Sequence, residues 1–425
     1  MNSFFKFHPI GQGGFYTGIL GLYGRNNSQF NFVYDCGTLS ERNNLNYAIE
    51  SYKNTLRNDT IDVLFISHLD DDHVNGIVDL LRGIHCKNIY LPYLSPFERL
   101  LVAIRHNPRD TKDFKDFIRF ITSPHNYLLE IDGNNIGTIN YIKGNSKGEI
   151  TNEQKAIEPS ESNNEFTDNL DLLPQSEYNA EIESISQSSK ILFKKANGKL
   201  NFGFIWEFYL FHEPGSITQI EQFRNAIQDI YGFEVDTKLT SEELVIILSN
   251  TDNLKELRKK FRAIFKNLNK TSLVVQHKPL SYKYSHISKE QYFIWNVGHY
   301  FNPLIRNFKR LINRNSNSID YRWGVTLLTG DIGLDQIENS NYIENQLKNV
   351  QVFQVPHHGS NTRWNKIYLD KLNNKGLTSS VINFGYGNTY GHPKPNVLED
   401  LDNNNFDIRF CNQFESFEYQ IKLYF

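Results

Sequence analysis

The stretch Phe65-Ile66-Ser67-His68-Leu69-Asp70-Asp71-Asp72-His73-Val74-Asn75-Gly76 decides how the rest is read. Residues 61–66 form a short apolar run of strand character that ends in polar residues. Four potential metal ligands follow within six positions: His68, Asp70, Asp72 and His73. A helix is predicted from Val74. Side chains that alternate after a strand project to one side, so His68 and Asp70 can share one ion. Asp72 and His73, at the helix start, can reach a second. Clustered imidazoles and carboxylates make sense where divalent cations neutralise the carboxylates. The competing reading is a solvated acidic turn whose aspartates cap the helix.

Three further pieces also follow apolar strands. Thr326-Leu327-Leu328-Thr329-Gly330-Asp331 runs from a strand into a glycine and an aspartate that can bridge two ions. Pro356-His357-His358-Gly359-Ser360 offers one imidazole for a metal and one for substrate. The glycine-rich stretch from Asn383 to Pro395 contains Tyr390-Gly391-His392-Pro393-Lys394 and suits an anion. Each alone has a bland reading as a turn. Their joint occurrence in this order does not.

Together these motifs resemble the metallo-β-lactamase-fold hydrolases. They are most similar to the soluble hydrolase domain of the competence DNA-uptake protein ComEC and its stand-alone relatives. Gly11-Gln12-Gly13, Asp35-Cys36-Gly37 and the His-x-Asp-x-Asp-His pattern from His68 to His73 carry the likeness, with the three later motifs. The wider superfamily has a histidine where this chain has Asp70. The resemblance implies an α/β fold, an αββα sandwich of two central sheets flanked by helices. Here it carries an acidic loop insertion and a helical insertion.

The resemblance also implies roles. One ion, Zn²⁺ or Mn²⁺, is held by His68, Asp70 and a later histidine. The second is held by Asp72, His73 and one of His357 and His358, with Asp331 bridging. Among His85, His106, His125, His212, His277, His286 and His299, the later ligand is assigned to His212, which ends a strand and precedes a proline by two positions. A hydroxide between the ions is then the nucleophile. Asp72, His358 and His392 are the catalytic candidates. Ser360, His392 and Lys394 face the substrate. The extra carboxylate of Asp70 hardens the site and moves the balance somewhat towards manganese.

Composition sets the frame. The 425 residues are 39% hydrophobic and 22% charged, which marks a globular chain. The net charge of −3 excludes a wholesale polycation but not a local basic face. Residues 149–184 carry ten acidic side chains against one lysine and read as a disordered insertion. The expected organisation is a first core part over 1–144, the acidic insertion over 145–190 and a core strand ending in a ligand histidine over 191–215. A helical and basic-aromatic insertion over 216–320 surrounds a strand at 272–276, and the second core part spans 321–425.

Three cysteines make no disulfide framework, and no targeting or membrane-spanning run is evident, so cytoplasm is the expected compartment. The expected activity is phosphodiester cleavage in nucleic acid, most of all DNA. Lysines and arginines interleaved with aromatic rings over 278–314 suit a single strand. The alternatives are a hydrolase of a small substrate (a cyclic nucleotide, phosphocholine ester or lactone) or a sensor or scaffold subunit of a bacterial defence assembly. A protein partner is compatible with either.

Overall fold

The computed structural model describes residues 1–21, 29–106, 112–144, 165–203, 205–212, 220–231, 239–264, 272–280, 284–293, 319–320, 324–334, 349–362, 364–372 and 378–424. Eighteen strands occur among them. The first six are β1 (Asn2–Phe7), β2 (Gly13–Gly21), β3 (Gln29–Thr38), β4 (Thr60–Phe65), β5 (His85–Pro92) and β6 (Ile136–Lys143). The next six are β7 (Phe166–Asp168), β8 (Ile191–Lys195), β9 (Gly198–Phe202), β10 (Trp206–His212), β11 (Leu273–Pro279) and β12 (Tyr284–Phe293). The last are β13 (Ile319–Asp320), β14 (Val325–Leu328), β15 (Val350–Gln354), β16 (Ser379–Asn383), β17 (Asp407–Cys411) and β18 (Glu415–Tyr424).

They form two sheets. One runs β13-β12-β18-β1-β2-β3-β4-β5-β6-β8, the other β17-β16-β15-β14-β11-β10-β9-β7. Alternation along β10 shows how they stack. Trp206, Phe208 and Leu210 join Phe5, Phe32 and Phe65 between the sheets. Tyr209 and Phe211 point the other way, into a core with Leu369, Val397 and Leu401 of the outer helices. On the far side of the first sheet, Leu45, Ile49, Leu100 and Leu257 pack helices against it. Helix, sheet, sheet, helix is the αββα sandwich expected from the motifs.

The inter-sheet core is largely aromatic, as the 14% aromatic content suggests. A polar chain threads it: Tyr16 Oη lies 2.8 Å from His277 Nε2 and 2.6 Å from Tyr419 Oη, which lies 2.6 Å from Thr326 Oγ1. These four residues belong to β2, β11, β18 and β14, so the chain joins both sheets.

Two features of the helical insertion are also legible in its sequence. Thr240 and Glu243 form a capping box at the start of the helix Ser241–Ser249. Leu254, Leu257 and Phe261 bury the apolar stripe of the next helix. Others differ. The core strand expected within 191–215 is, at its histidine end, the hairpin pair β9 and β10, split at Gly203, whose φ of 52° is turn geometry. The acidic insertion is not structureless where it is described. Asp168 takes a hydrogen bond from Tyr90 at 2.5 Å and an ion pair from Lys194, while Glu181 pairs with Arg99 at 2.5 Å. Composition alone hides this, because these carboxylates face partners inside the fold. Residues 145–164 lie outside the described residues, as do 294–318 of the basic-aromatic stretch.

Candidate metal centre and cleft

The site lies where several strands end at one edge. The loop after β4 carries residues 66–73, β14 leads to Asp331, β15 to His357 and His358, and β16 to the loop of His392. Leu273 N–H donates to Ser67 O at 2.6 Å and stitches the sheets together there. Gly330 must be a glycine: its φ is 56°, and a Cβ would stand 2.9 Å from Ser67 Cβ.

Asp331 is the hub. Its Oδ2 faces His68 Nε2 at 3.7 Å and His357 Nε2 at 4.0 Å. Its Oδ1 faces His73 Nε2 at 3.6 Å and His358 Nε2 at 3.8 Å. Two ligand atoms on one tetrahedral zinc stand about 3.3 Å apart, so these spacings are close to coordination distance. Asp72 Oδ2 lies 3.2 Å from His358 Nε2, and Asp70 Oδ2 lies 3.8 Å from His68 Nε2. Two compact donor groups result, His68–His73–Asp331 and Asp72–His73–His358, all buried.

Hydrogen bonds fix which nitrogen of each ring faces inward. His73 Nδ1 donates to Asp35 Oδ2 at 2.8 Å. His358 Nδ1 donates to the Asn383 carbonyl at 2.9 Å. Ser67 Oγ gives its one proton to Asp35 Oδ2 at 2.7 Å, so it must accept from His68 Nδ1 at 2.8 Å. Each Nε2 is therefore left to face the carboxylates. The Nε2 atoms of His68 and His73 are buried without a hydrogen-bond partner. A buried, unpartnered imidazole nitrogen aimed at carboxylates is what a metal site requires.

Electrostatics agrees. Burial opposes ionisation of Asp331, but His357, His358, His73 and His68 outweigh it and hold the carboxyl well below its usual range. Burial opposes protonation of His73, but Asp35 and Asp72 outweigh it and hold the imidazole well above its usual value. The carboxylates call for positive charge at this point. His357 and His358 both adopt left-handed backbone, with φ of 52° and 56°. Such geometry costs on the order of 1–3 kcal/mol per residue and persists where the surroundings enforce it.

The centre opens into a cleft of about 800 Å³ lined by Asp70, Asp72, Asp331, His357, His358 and His392, among others. His392 sits edge-on to His357, with ring centroids 5.7 Å apart. The other expected substrate residues are placed elsewhere. Ser360 is buried, and its Oγ accepts from Thr362 N–H at 3.1 Å. Lys394 Nζ donates to the Tyr390 carbonyl at 2.8 Å. Neither lines the cleft.

His212 ends β10 in register with Leu273 and is 2% exposed, with Nδ1 unpartnered. Burial lowers its pKa to about 4, against a smaller raising effect of the Ser272 backbone. It belongs to neither compact donor group. Of the other histidines weighed for this role, His106 packs at a tilt against Phe117 in the cleft wall, His125 bonds Tyr141, and His277 lies between the sheets against Phe32 and Phe208. His85 starts β5, and the side chains of His286 and His299 lie outside the described residues.

Three contributors have no role in the sequence reading. Asp35 and Ser67 orient the imidazoles, and Arg105 Nη2 donates to Asp70 Oδ1 at 2.5 Å. Asp35 had a signal, an aspartate and glycine closing a strand. Arg105 had none.

No protein-family model matches the chain, and no curated protein matches it. Among solved structures it is similar to a long-form RNase Z from yeast, with 8% identity and a TM-score of 0.32. That match covers 90% of this chain and 37% of the RNase Z chain, so this chain spans well under half of that protein's length.

Proposed function

We propose that the chain is a two-metal phosphodiesterase that cleaves nucleic acid, with DNA the first substrate to test. The observation that carries this reading is the division of Asp331, with Oδ2 towards His68 and His357 and Oδ1 towards His73 and His358. Asp72, His73, His358 and Asp331 Oδ1 would hold one ion. His68, Asp70 and Asp331 Oδ2 would hold the other, with His357 beside them and His212 as a further donor. Mixed imidazole and carboxylate donors suit zinc or manganese.

Bound divalent cations supply Lewis acidity and a nucleophile active at neutral pH. In this reading the residues divide the remaining work. Asp72, ionised and beside His358, orients the attacking water and takes its proton. His357 and His392 face the reacting phosphate from the cleft side. As the water oxygen bonds to phosphorus and the P–O bond breaks, the departing alkoxide takes a proton from solvent, and the proton held by Asp72 returns to solvent.

The cleft's charge supports an anionic substrate only with metal present. Six carboxylates line it (Asp70, Asp71, Asp72, Asp79, Asp116, Asp331) against four guanidiniums (Arg42, Arg82, Arg105, Arg258). Two divalent cations reverse that balance. Among the described residues no helix is long and apolar enough to cross a membrane. All three cysteines are buried and unbridged, which supports a reducing compartment such as cytoplasm.

The test is cleavage of labelled single- and double-stranded DNA and RNA with EDTA, Zn²⁺ or Mn²⁺. Metal-dependent cutting that disappears in Asp331→Asn is expected. A cleft of this volume also fits a small phosphoester. Hydrolysis of a cyclic nucleotide or phosphocholine ester with no cutting of polymer would select that second reading.

A further inference from the structure

We infer that the loop after β16 is a stacking subsite for nucleobases, so that the strand entering the cleft is unpaired. This rests on the phosphodiesterase reading and names its substrate. Tyr390 is 53% exposed yet stacks on His392, with centroids 5.8 Å apart and planes 26° apart. His392 meets His357, whose Nε2 is 4.0 Å from Asp331 Oδ2. A file of rings thus leads from the solvent to the candidate metal centre. Tyr386, on the same loop, is 72% exposed and packs edge-on against Phe414, itself 40% exposed.

These exposed rings are held in place. Asn388 Oδ1 accepts from the backbone N–H of Tyr390 at 3.1 Å and of His392 at 3.0 Å. Its Nδ2 donates to the carbonyls of Gly385 and His392, each at 2.7 Å. A rigid loop that presents aromatic faces at a cleft mouth is pre-organised for a planar ligand.

The arrangement favours bases over the other ligands the cleft could take. A duplex keeps its base faces stacked inside, where protein rings cannot reach them. A choline headgroup needs rings that surround one point, and here they stand in series.

Two measurements test this. The first is anisotropy of labelled oligo(dT) with phosphorothioate linkages, which resist cutting, against a duplex of the same length. Stronger binding of the single strand is expected, weakened roughly five-fold or more in Tyr386→Ala/Tyr390→Ala, since each stacked base is worth about 1–3 kcal/mol. The second compares thymidine 5′-(p-nitrophenyl phosphate) with methyl p-nitrophenyl phosphate, which has no base. The ratio of their kcat/KM values should fall in Tyr390→Ala and recover in Tyr390→Phe. Single-strand binding unchanged in the double variant, a preference for duplex, or faster hydrolysis of p-nitrophenyl phosphorylcholine that depends on Tyr390 would each overturn the subsite. Binding lost in the variant with neither ester cut would keep the subsite and sink the phosphodiesterase reading.

Discussion

Asp35 Oδ2 accepts a hydrogen bond from His73 Nδ1 at 2.8 Å, and this bond turns the other ring nitrogen towards Asp331. Asp35 does this from left-handed backbone, φ 60°, inside β3 where its register with β2 shifts. Asparagine tolerates that conformation but carries no charge. In Asp35→Asn the tautomer of His73 is no longer enforced. Metal affinity should fall about 10–100-fold with circular dichroism unchanged, the usual cost of losing such a supporting partner. Titration calorimetry with Zn²⁺ or Mn²⁺ measures it, and wild-type affinity would show that Asp35 does not orient the ligand.

Gly14 protects the same imidazole from behind. A Cβ there would stand 2.7 Å from His73 Nδ1 and 3.1 Å from Asp35 Oδ2. Neither neighbour can yield without breaking their hydrogen bond. Gly14→Ala should therefore cost about 1–3 kcal/mol in urea unfolding and weaken metal binding as well. A stability loss with metal binding intact would mean that the strain relaxes away from His73.

In the proposed site, Arg105 would compete with a cation for Asp70. Its guanidinium holds Oδ1, and only Oδ2 faces His68. Arg105→Gln should release the carboxylate and tighten the weaker of two metal-binding events. The expected gain is about five-fold, the scale of a partly exposed ion pair worth about 1 kcal/mol. Calorimetry again decides, and a weakened or unchanged second event would mean that Arg105 supports the ligand.

Acid stability should depend on His277. Burial lowers its pKa to about 3, against about 6.5 when unfolded. The folded state binds the proton less well, so this stabilising contribution is complete above pH 6.5. It is lost as pH falls from there towards 3, at up to about 1.4 kcal/mol per unit. His277→Phe keeps the aromatic fill and leaves Tyr16 its bond to Tyr419. Urea unfolding at pH 7, 6 and 5 should show a shallower loss in the variant, and parallel slopes would exclude His277 as the acid-sensitive group.

What is legible in the sequence follows from how local each feature is. His68 to His73 can be read because ligands and strand end are contiguous, and Asp331 and His358 because each closes a strand of its own. Those residues do converge. The grip of Arg105 on Asp70 spans 35 positions and that of Asp35 on His73 spans 38, and no local pattern announces such pairs. The acidic stretch misleads for the same reason, since Asp168 and Glu181 find their cations in other elements. Ser360 and Lys394 lie in the right motifs, but their polar atoms serve the neighbouring backbone.

The sharing of Asp331 between two ions is tested most directly by anomalous diffraction from crystals grown with Mn²⁺ or Zn²⁺. Two peaks about 3.5–4 Å apart are expected, one on each carboxylate oxygen of Asp331. His68 and Asp70 should surround one, and Asp72, His73 and His358 the other. A single peak, or two peaks of which neither touches Asp331, would contradict a two-metal centre built on this residue.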